Sequence, residues 1–197
     1  MNAEEIIRAQ LADHISVVEK VASAMVEPIA ELAQRVLETV RGGGTLFFMG
    51  NGGSAADAQH LAAEYVVRFA RDRRPIAAIA LTTDTSVLTA GANDRGFEAV
   101  FERQLQALAR AGDLVVMHST SGESDNLLRA ASTARAAGVG TAALVARGGG
   151  RLAAEVDLAL VVPTDSTARA QELHLTIGHM VCDIVEQGIV DAKSEKP

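Results

Sequence analysis

From residue 45 onward the chain is punctuated by five short, almost uninterrupted apolar runs, at 45–49, 76–81, 113–118, 140–145 and 158–162. Each is bounded by Gly, Pro, Asp or Ser. They are too short to cross a bilayer and too continuous for strands with one wet face. Strands buried on both faces read this way. Helix-patterned stretches lie between them: 54–69, 86–110 with a break at 93–96, 124–137, a short turn at 150–154, and 166–188. Strands that alternate with helices require parallel crossovers, so the expected fold is a layered α/β structure whose sheet has about five strands.

Before residue 45 the texture differs. Ile6, Ile7, Leu11, Ile15, Val18, Val21, Ala22 and Met25 recur at helical spacing, and Ile29, Leu32, Val36, Leu37 and Val40 resume it after Pro28. Two helices with a break near Pro28 follow, the second ended by Gly42-Gly43-Gly44. The chain therefore divides into a helical extension, 1–44, and an α/β unit, 45–190. Its polar end, 191–197, is expected to fray.

Composition narrows the function classes. Aromatic residues are 3% of the 197 and Trp is absent, so the core must be built from Ala, Val, Leu and Ile. Lys and Arg number 18 against 25 Asp and Glu, a net charge of −7. That balance opposes sequence-blind nucleic-acid binding, which needs a basic surface. No apolar run approaches the ~18 residues of a membrane span. The single Cys182 excludes an intrachain disulfide, and the acidic N-terminus lacks the pattern of a secretory signal. A cytoplasmic protein is expected.

In open parallel sheets ligands bind beyond the carboxyl ends of the strands. Two segments there carry chemistry. The first is Gly50-Asn51-Gly52-Gly53-Ser54-Ala55-Ala56-Asp57. Its glycines permit close backbone approach to a ligand, and Ser54 followed by Asp57 resembles a capping box. A ligand loop and a tight strand-to-helix turn both fit. The second, Ser119-Thr120-Ser121-Gly122-Glu123-Ser124, sets four hydroxyls where a helix is about to start. Backbone N–H groups and the helix dipole attract an anion at such a place. Neither a P-loop nor a dinucleotide fingerprint is present. The segment suits a terminal sugar phosphate held without lysine, whereas a plain N-cap needs only one hydroxyl. Glu123 opposes a dianion there unless its carboxylate turns away to solvent.

Two helical rows add titratable groups. His60 and Glu64 share a face that Arg68 continues. This is a catalytic row, half a metal site or a solvated ion-pair stripe. Gln171, Leu175 and His179 form a second row within a helix that otherwise reads as buried. His174 lies off that row and is expected at the surface; Cys182 is expected to be a small core residue. The rows either converge on one Zn2+-like ion or supply an acid/base pair beside the hydroxyl loop. The set His, Glu, Gln, His is unusual for structural zinc and closer to an open functional site.

The segment from Gly50 to His60, together with Leu81-Thr82-Thr83-Asp84-Thr85-Ser86, Ser119-Thr120-Ser121-Gly122, and Ala168-Arg169-Ala170-Gln171-Glu172 with His179, resembles the phosphoheptose isomerases of the SIS (sugar isomerase) family. The likeness runs over nearly the whole chain, and several motifs in the right order make it specific. It implies a flavodoxin-like three-layer α/β sandwich with a five-stranded parallel sheet, assembled as a homotetramer with active sites at subunit interfaces. It implies Glu64 as catalytic base and His179 as its acid/base partner. Ser119, Thr120, Ser121 and Ser124 match the phosphate loop; Asn51, Gly52, Gly53, Ser54, Arg68, Asp94 and Gln171 match substrate-binding positions. In zinc-containing members the ligands correspond to His60, Glu64, Gln171 and His179.

The implied reaction converts sedoheptulose 7-phosphate to D-glycero-D-manno-heptose 7-phosphate through an enediol, toward nucleotide-heptose and lipopolysaccharide precursors. The sequence departs from the family at four places: Glu123 where Asn is usual, Met117-His118 where a smaller pair is common, Arg95 for an aromatic, and Gly in Arg147-Gly148-Gly149-Gly150 where Asp is common. The competing reading is a non-catalytic relative that binds the replication initiator DnaA. Asn93-Asp94-Arg95 and Cys182-Asp183 look somewhat like that relative, but retention of both Glu64 and His179 favours the enzyme.

Overall fold

All five apolar runs form strands in the computed structural model, which describes residues 2–194, with side chains through residue 190. They are β1 (Leu46–Gly50), β2 (Ala78–Ala80), β3 (Leu114–Ser119), β4 (Gly140–Val145) and β5 (Leu158–Val161). All pairings are parallel, in the order β2-β1-β3-β4-β5. This is the flavodoxin-like order, and its direction reverses between β1 and β3, where a crevice opens beyond the strand ends. Register there sets Gly50 beside His118. The 76–81 run yields only three paired residues. It lies at the sheet edge and pairs with β1 alone, so its burial is incomplete.

The helices are α1 (Ala3–Ala24), α2 (Val26–Arg41), α3 (Gly53–Val66), α4 (Thr85–Arg95), α5 (Val100–Leu108), α6 (Asp125–Ala136) and α7 (Thr167–Ser194). Side chains alternate across the sheet and create two cores. Leu46, Phe48, Leu114, Val116, Ala142 and Leu144 meet α1, α2, α3 and α7. Phe47, Met49, Val115, Met117, Ala143 and Val145 meet α4, α5 and α6. The result is the expected three-layer sandwich. Cys182 is buried as expected, and burial pushes its thiol up to about 12.

Several local expectations need correction. The first helix break falls at Met25, three residues before Pro28. Pro28 therefore sits in the first turn of α2, where its missing N–H leaves no helical bond unmade. No capping box opens α3: the cap is Gly52, and Ser54 is already inside the helix without a side-chain capping bond. A capping box does close the start of α1, through Asn2 and Glu5. The break expected at 93–96 is present, with α4 ending before Gly96 at φ 88°. α3 stops at Val66 and does not reach 69, so Arg68 leaves the row of His60 and Glu64. α7 continues through Ser194, past the point where fraying was expected; residues 195–197 lie outside the described residues.

A buried ionic network explains why α3 ends there. Arg73 donates to the carbonyls of Glu64 at 2.6 Å and Tyr65 at 2.8 Å, near the helix terminus. A cation is favourable at that end of the dipole. Glu186 of α7, only 1% exposed, lies 2.9 Å from Arg73 Nε. Its two oxygens accept from the backbone N–H groups of Phe69, Ala70 and Arg71 at 2.7–2.9 Å. Burial pushes the Glu186 carboxyl up, but these three hydrogen bonds and Arg73 outweigh it and leave it below the ordinary range. A carboxyl depressed on folding stabilises above its unfolded pKa, and that contribution is lost as pH falls through the folded value. Glu186→Ala is therefore expected to lower stability by about 3–5 kcal/mol at neutral pH in urea unfolding, since it leaves Arg73 buried and unpaired. The difference from the parent should narrow in acid.

Candidate functional site

The crevice between β1 and β3 is bounded by the two loops singled out in the sequence. Asn51 and Asn126 tie them together: Asn51 Nδ2 donates to Asn126 Oδ1 at 3.0 Å, and Asn126 Nδ2 donates back to Asn51 Oδ1 at 2.9 Å. Sequence reasoning missed Asn126, because it lies inside α6 and only the register of β1 with β3 brings it opposite Asn51. Gly53 opens α3 against the side chain of Gln171, and a methyl group at Gly53 would collide with that amide. Ser54 is buried beside this contact.

The hydroxyl loop is internally braced. Ser119 Oγ accepts from Gly122 N at 3.0 Å, and Ser121 Oγ accepts from Glu123 N at 3.2 Å. Ser124 precedes α6 but makes no side-chain capping bond, so the start of that helix is not sealed by a protein hydroxyl. Thr120 and Ser124 are partly exposed. Glu123 does not hang free. Its carboxylate accepts from Arg151 Nε at 2.6 Å and Arg151 N at 3.0 Å. These bonds hold its carboxyl below the ordinary range.

The two helical rows do converge. His60 and His179 place their Nε2 atoms 2.9 Å apart, and His60 Nε2 lies 3.3 Å from Glu64 Oε1. One feature of the helix packing makes this possible. Gly178 faces Leu61, and a Cβ at 178 would lie 2.5 Å from Leu61 Cδ2. The missing side chain lets α7 approach α3 one residue away from both histidines. Phe69 stacks on the His179 ring at 5.3 Å, a contact the sequence pattern did not signal. Burial, with His60 adding to it, holds the His179 imidazole below its ordinary value, while Glu64 opposes the shift. That shift favours the uncharged ring, which has one nitrogen to accept a proton and one N–H to donate.

Two groups among the described residues have metal-capable donors within 4.8 Å of one another. One is His60, Glu64 and His179. Two imidazole nitrogens and a carboxylate oxygen suit zinc chemically. The other is Asp57, His118 and His174. His174 is not at the surface as expected; it is fully buried, because α7 turns that residue toward β4. His118 is fully buried as well.

Within one chain the remaining residues stand apart. Gln171 packs on Gly53, and seven residues, about 10 Å of helix, separate Gly53 from His60. Arg68 is exposed beyond the end of α3. Asp94 is exposed near the end of α4, in the opposite layer, where it accepts from Asn93. The trio itself is open to solvent on one side, His60 being 45% exposed.

Residues 11–146 match the SIS domain family. The chain is 47% identical over 186 residues to the phosphoheptose isomerase of Trichlorobacter lovleyi, covering 94% of this chain and 95% of that one. It is 51% identical over 189 residues to the phosphoheptose isomerase of Geobacter metallireducens, covering 96% and 99%. Among solved structures, phosphoheptose isomerase from Neisseria gonorrhoeae superposes with a TM-score of 0.90 at 41% identity, covering 94% of this chain and all of that one.

The Arg151 contact predicts the behaviour of the hydroxyl loop toward anions. Glu123→Gln should leave sugar-phosphate affinity within about twofold, whereas Arg151→Ala, which frees the carboxylate, should weaken it by about tenfold, both read by calorimetry. A large tightening in Glu123→Gln would mean that the carboxylate faces the ligand.

Proposed function

The chain belongs to the phosphoheptose isomerases of the SIS domain family, and on that premise we propose that its two loops and its His60–Glu64–His179 trio form the site that interconverts sedoheptulose 7-phosphate and D-glycero-D-manno-heptose 7-phosphate. It is an isomerase acting on a small sugar phosphate. The observation that carries the assignment of roles is the convergence of Glu64 and His179 from two separate helices.

The chemistry is a 1,2 proton shift. Glu64 removes a proton from C1 of the ketose, beside the C2 carbonyl, to give the enediol. The proton then returns to C2. His179 takes the O1 proton and delivers one to O2, so that the carbonyl ends at C1. Ser119, Thr120, Ser121 and Ser124, with the start of α6, receive the phosphate. Asn51, Gly52, Gly53, Ser54 and Gln171 line the approach to it, and Arg68 and Asp94 complete the substrate contacts. Binding energy at the phosphate end orients the reacting carbons. His60, Glu64, Gln171 and His179 are the residues that would hold zinc, the donors of His60, Glu64 and His179 being already grouped. When bound, the ion supplies Lewis-acid polarisation of the carbonyl oxygen.

The site is completed by assembly. Segment 1–44 serves association and 45–190 the SIS unit. Ile7, Leu11 and Ile15 form one stripe of α1, each more than half exposed, which supports burial against other copies in a homotetramer. A tetramer with interface sites would set groups from one copy beside the loop of another, which is consistent with the open side of the trio. The chain is read as cytoplasmic, a precursor enzyme for lipopolysaccharide heptose; no helix among the described residues is long and apolar enough to cross a membrane. The likeness to phosphoheptose isomerases at 47% and 51% identity favours the enzyme over the DnaA-binding alternative.

Turnover of sedoheptulose 7-phosphate tests the reading. Glu64→Gln and His179→Ala should each lower kcat by about a hundred- to ten-thousand-fold while assembly persists. Wild-type turnover in either variant removes that residue's role. Activity that survives a chelator demotes zinc. Leu11→Glu with Ile15→Glu should dissociate the assembly in sedimentation, and loss of turnover with it would support sites shared between copies.

A further inference from the structure

A second group of donors, Asp57, His118 and His174, lies on the α3/α7 side of the sheet and plays no part in the proton transfer proposed above. His118 comes from the end of β3, one residue before the hydroxyl loop, and alternation along the strand turns it into the α3/α7 layer with Phe48. Asp57 comes from the second turn of α3 and His174 from α7. The two histidine rings meet edge-on at 6.1 Å. Both histidines are fully buried.

The buried atoms here lack partners. Asp57 Oδ2, both ring nitrogens of His118 and Nδ1 of His174 make no hydrogen bond. Leaving buried polar atoms unpaired is costly, so native interiors rarely gather four of them. The one polar contact present is informative. His174 Nε2 lies 3.3 Å from the carbonyl of Val145. A carbonyl only accepts, so Nε2 carries the proton and the unpartnered Nδ1 is left with its lone pair. A backbone carbonyl that fixes the tautomer of a ligating histidine is the usual outer support of a metal site.

We propose that Asp57, His118 and His174 bind a divalent transition-metal ion, zinc in the first instance, at a site separate from the His60–Glu64–His179 trio. The donor set of two imidazoles and one carboxylate selects zinc or cobalt over magnesium or calcium. The three donors already lie within 4.8 Å of one another. Burial holds His118 at about 3 and His174 at about 4, so neither ring competes with the ion through a proton. Burial likewise pushes Asp57 up to about 6, a penalty that a cation relieves. An ion here would pin the end of β3 to α3 and α7 directly beneath the hydroxyl loop. The site does not depend on the isomerase reading.

Zinc stoichiometry of the full-length chain tests it. The double variant His60→Ala/His179→Ala removes the surface trio and should still retain one zinc per chain after dialysis. Its cobalt form should show the visible ligand-field bands of a histidine-bound ion. Adding His118→Leu, which fills the same volume without a donor, should take the stoichiometry from one to zero and abolish the bands. A folded double variant that retains no zinc overturns the proposal, as does one whose zinc survives His118→Leu. If the triple variant does not fold, Asp57→Asn in the same background replaces it, with at least a tenfold loss of zinc affinity expected and unchanged affinity counting against the site.

Discussion

The approach of α7 to α3 at Gly178 and Leu61 is the contact on which the rest of the site depends. Any side chain at 178 would collide with Leu61. Without one, the two helices meet closely enough for His60 and His179 to touch. The same helix pair carries Asp57 and His174 nearer the crevice, and α7 carries Glu186, which pairs with Arg73 from the segment that follows α3. One interhelical spacing therefore governs three polar clusters in succession along a shared seam. Interiors pack too densely for that spacing to drift without cost.

Each cluster along the seam is balanced differently. The Glu186 carboxylate is met by three backbone N–H groups and a guanidinium, so its charge is compensated within the fold. The trio is half open, and His60 keeps contact with solvent. The Asp57–His118–His174 group has both imidazoles buried and four buried polar atoms without hydrogen-bond partners. A compensated cluster holds structure, an open one stays within reach of solvent and solutes, and an uncompensated one calls for a charge from outside. These differences follow from burial and available partners, since the residue types involved are similar.

Much of the fold was legible because burial on both faces leaves a continuous apolar signature. Four of the five runs became strands close to their expected bounds; 76–81 shortened because an edge strand lacks a second neighbour. The break at 93–96 was visible through Gly96. The end of α3 was not, because Arg73 and Glu186 stop it from outside the local sequence. At the site, the i, i+4 spacing of His60 and Glu64 was readable, and their meeting with His179 followed from two independent rows. The position of His174 was misread, since helical periodicity alone does not say which neighbour a residue turns toward. The Asn51–Asn126 pair needed strand register, which no single segment encodes.

That amide pair also shapes how the crevice responds to its surroundings. Each side chain gives one hydrogen bond and receives one, and neither group ionises. The mouth is thus fastened by a latch indifferent to acidity, whereas the Glu186 carboxylate farther along the seam loses its contribution in acid. Acid would therefore slacken the far end of the α3–α7 seam, where backbone N–H groups close on a carboxylate, and leave the amide fastening at its mouth untouched.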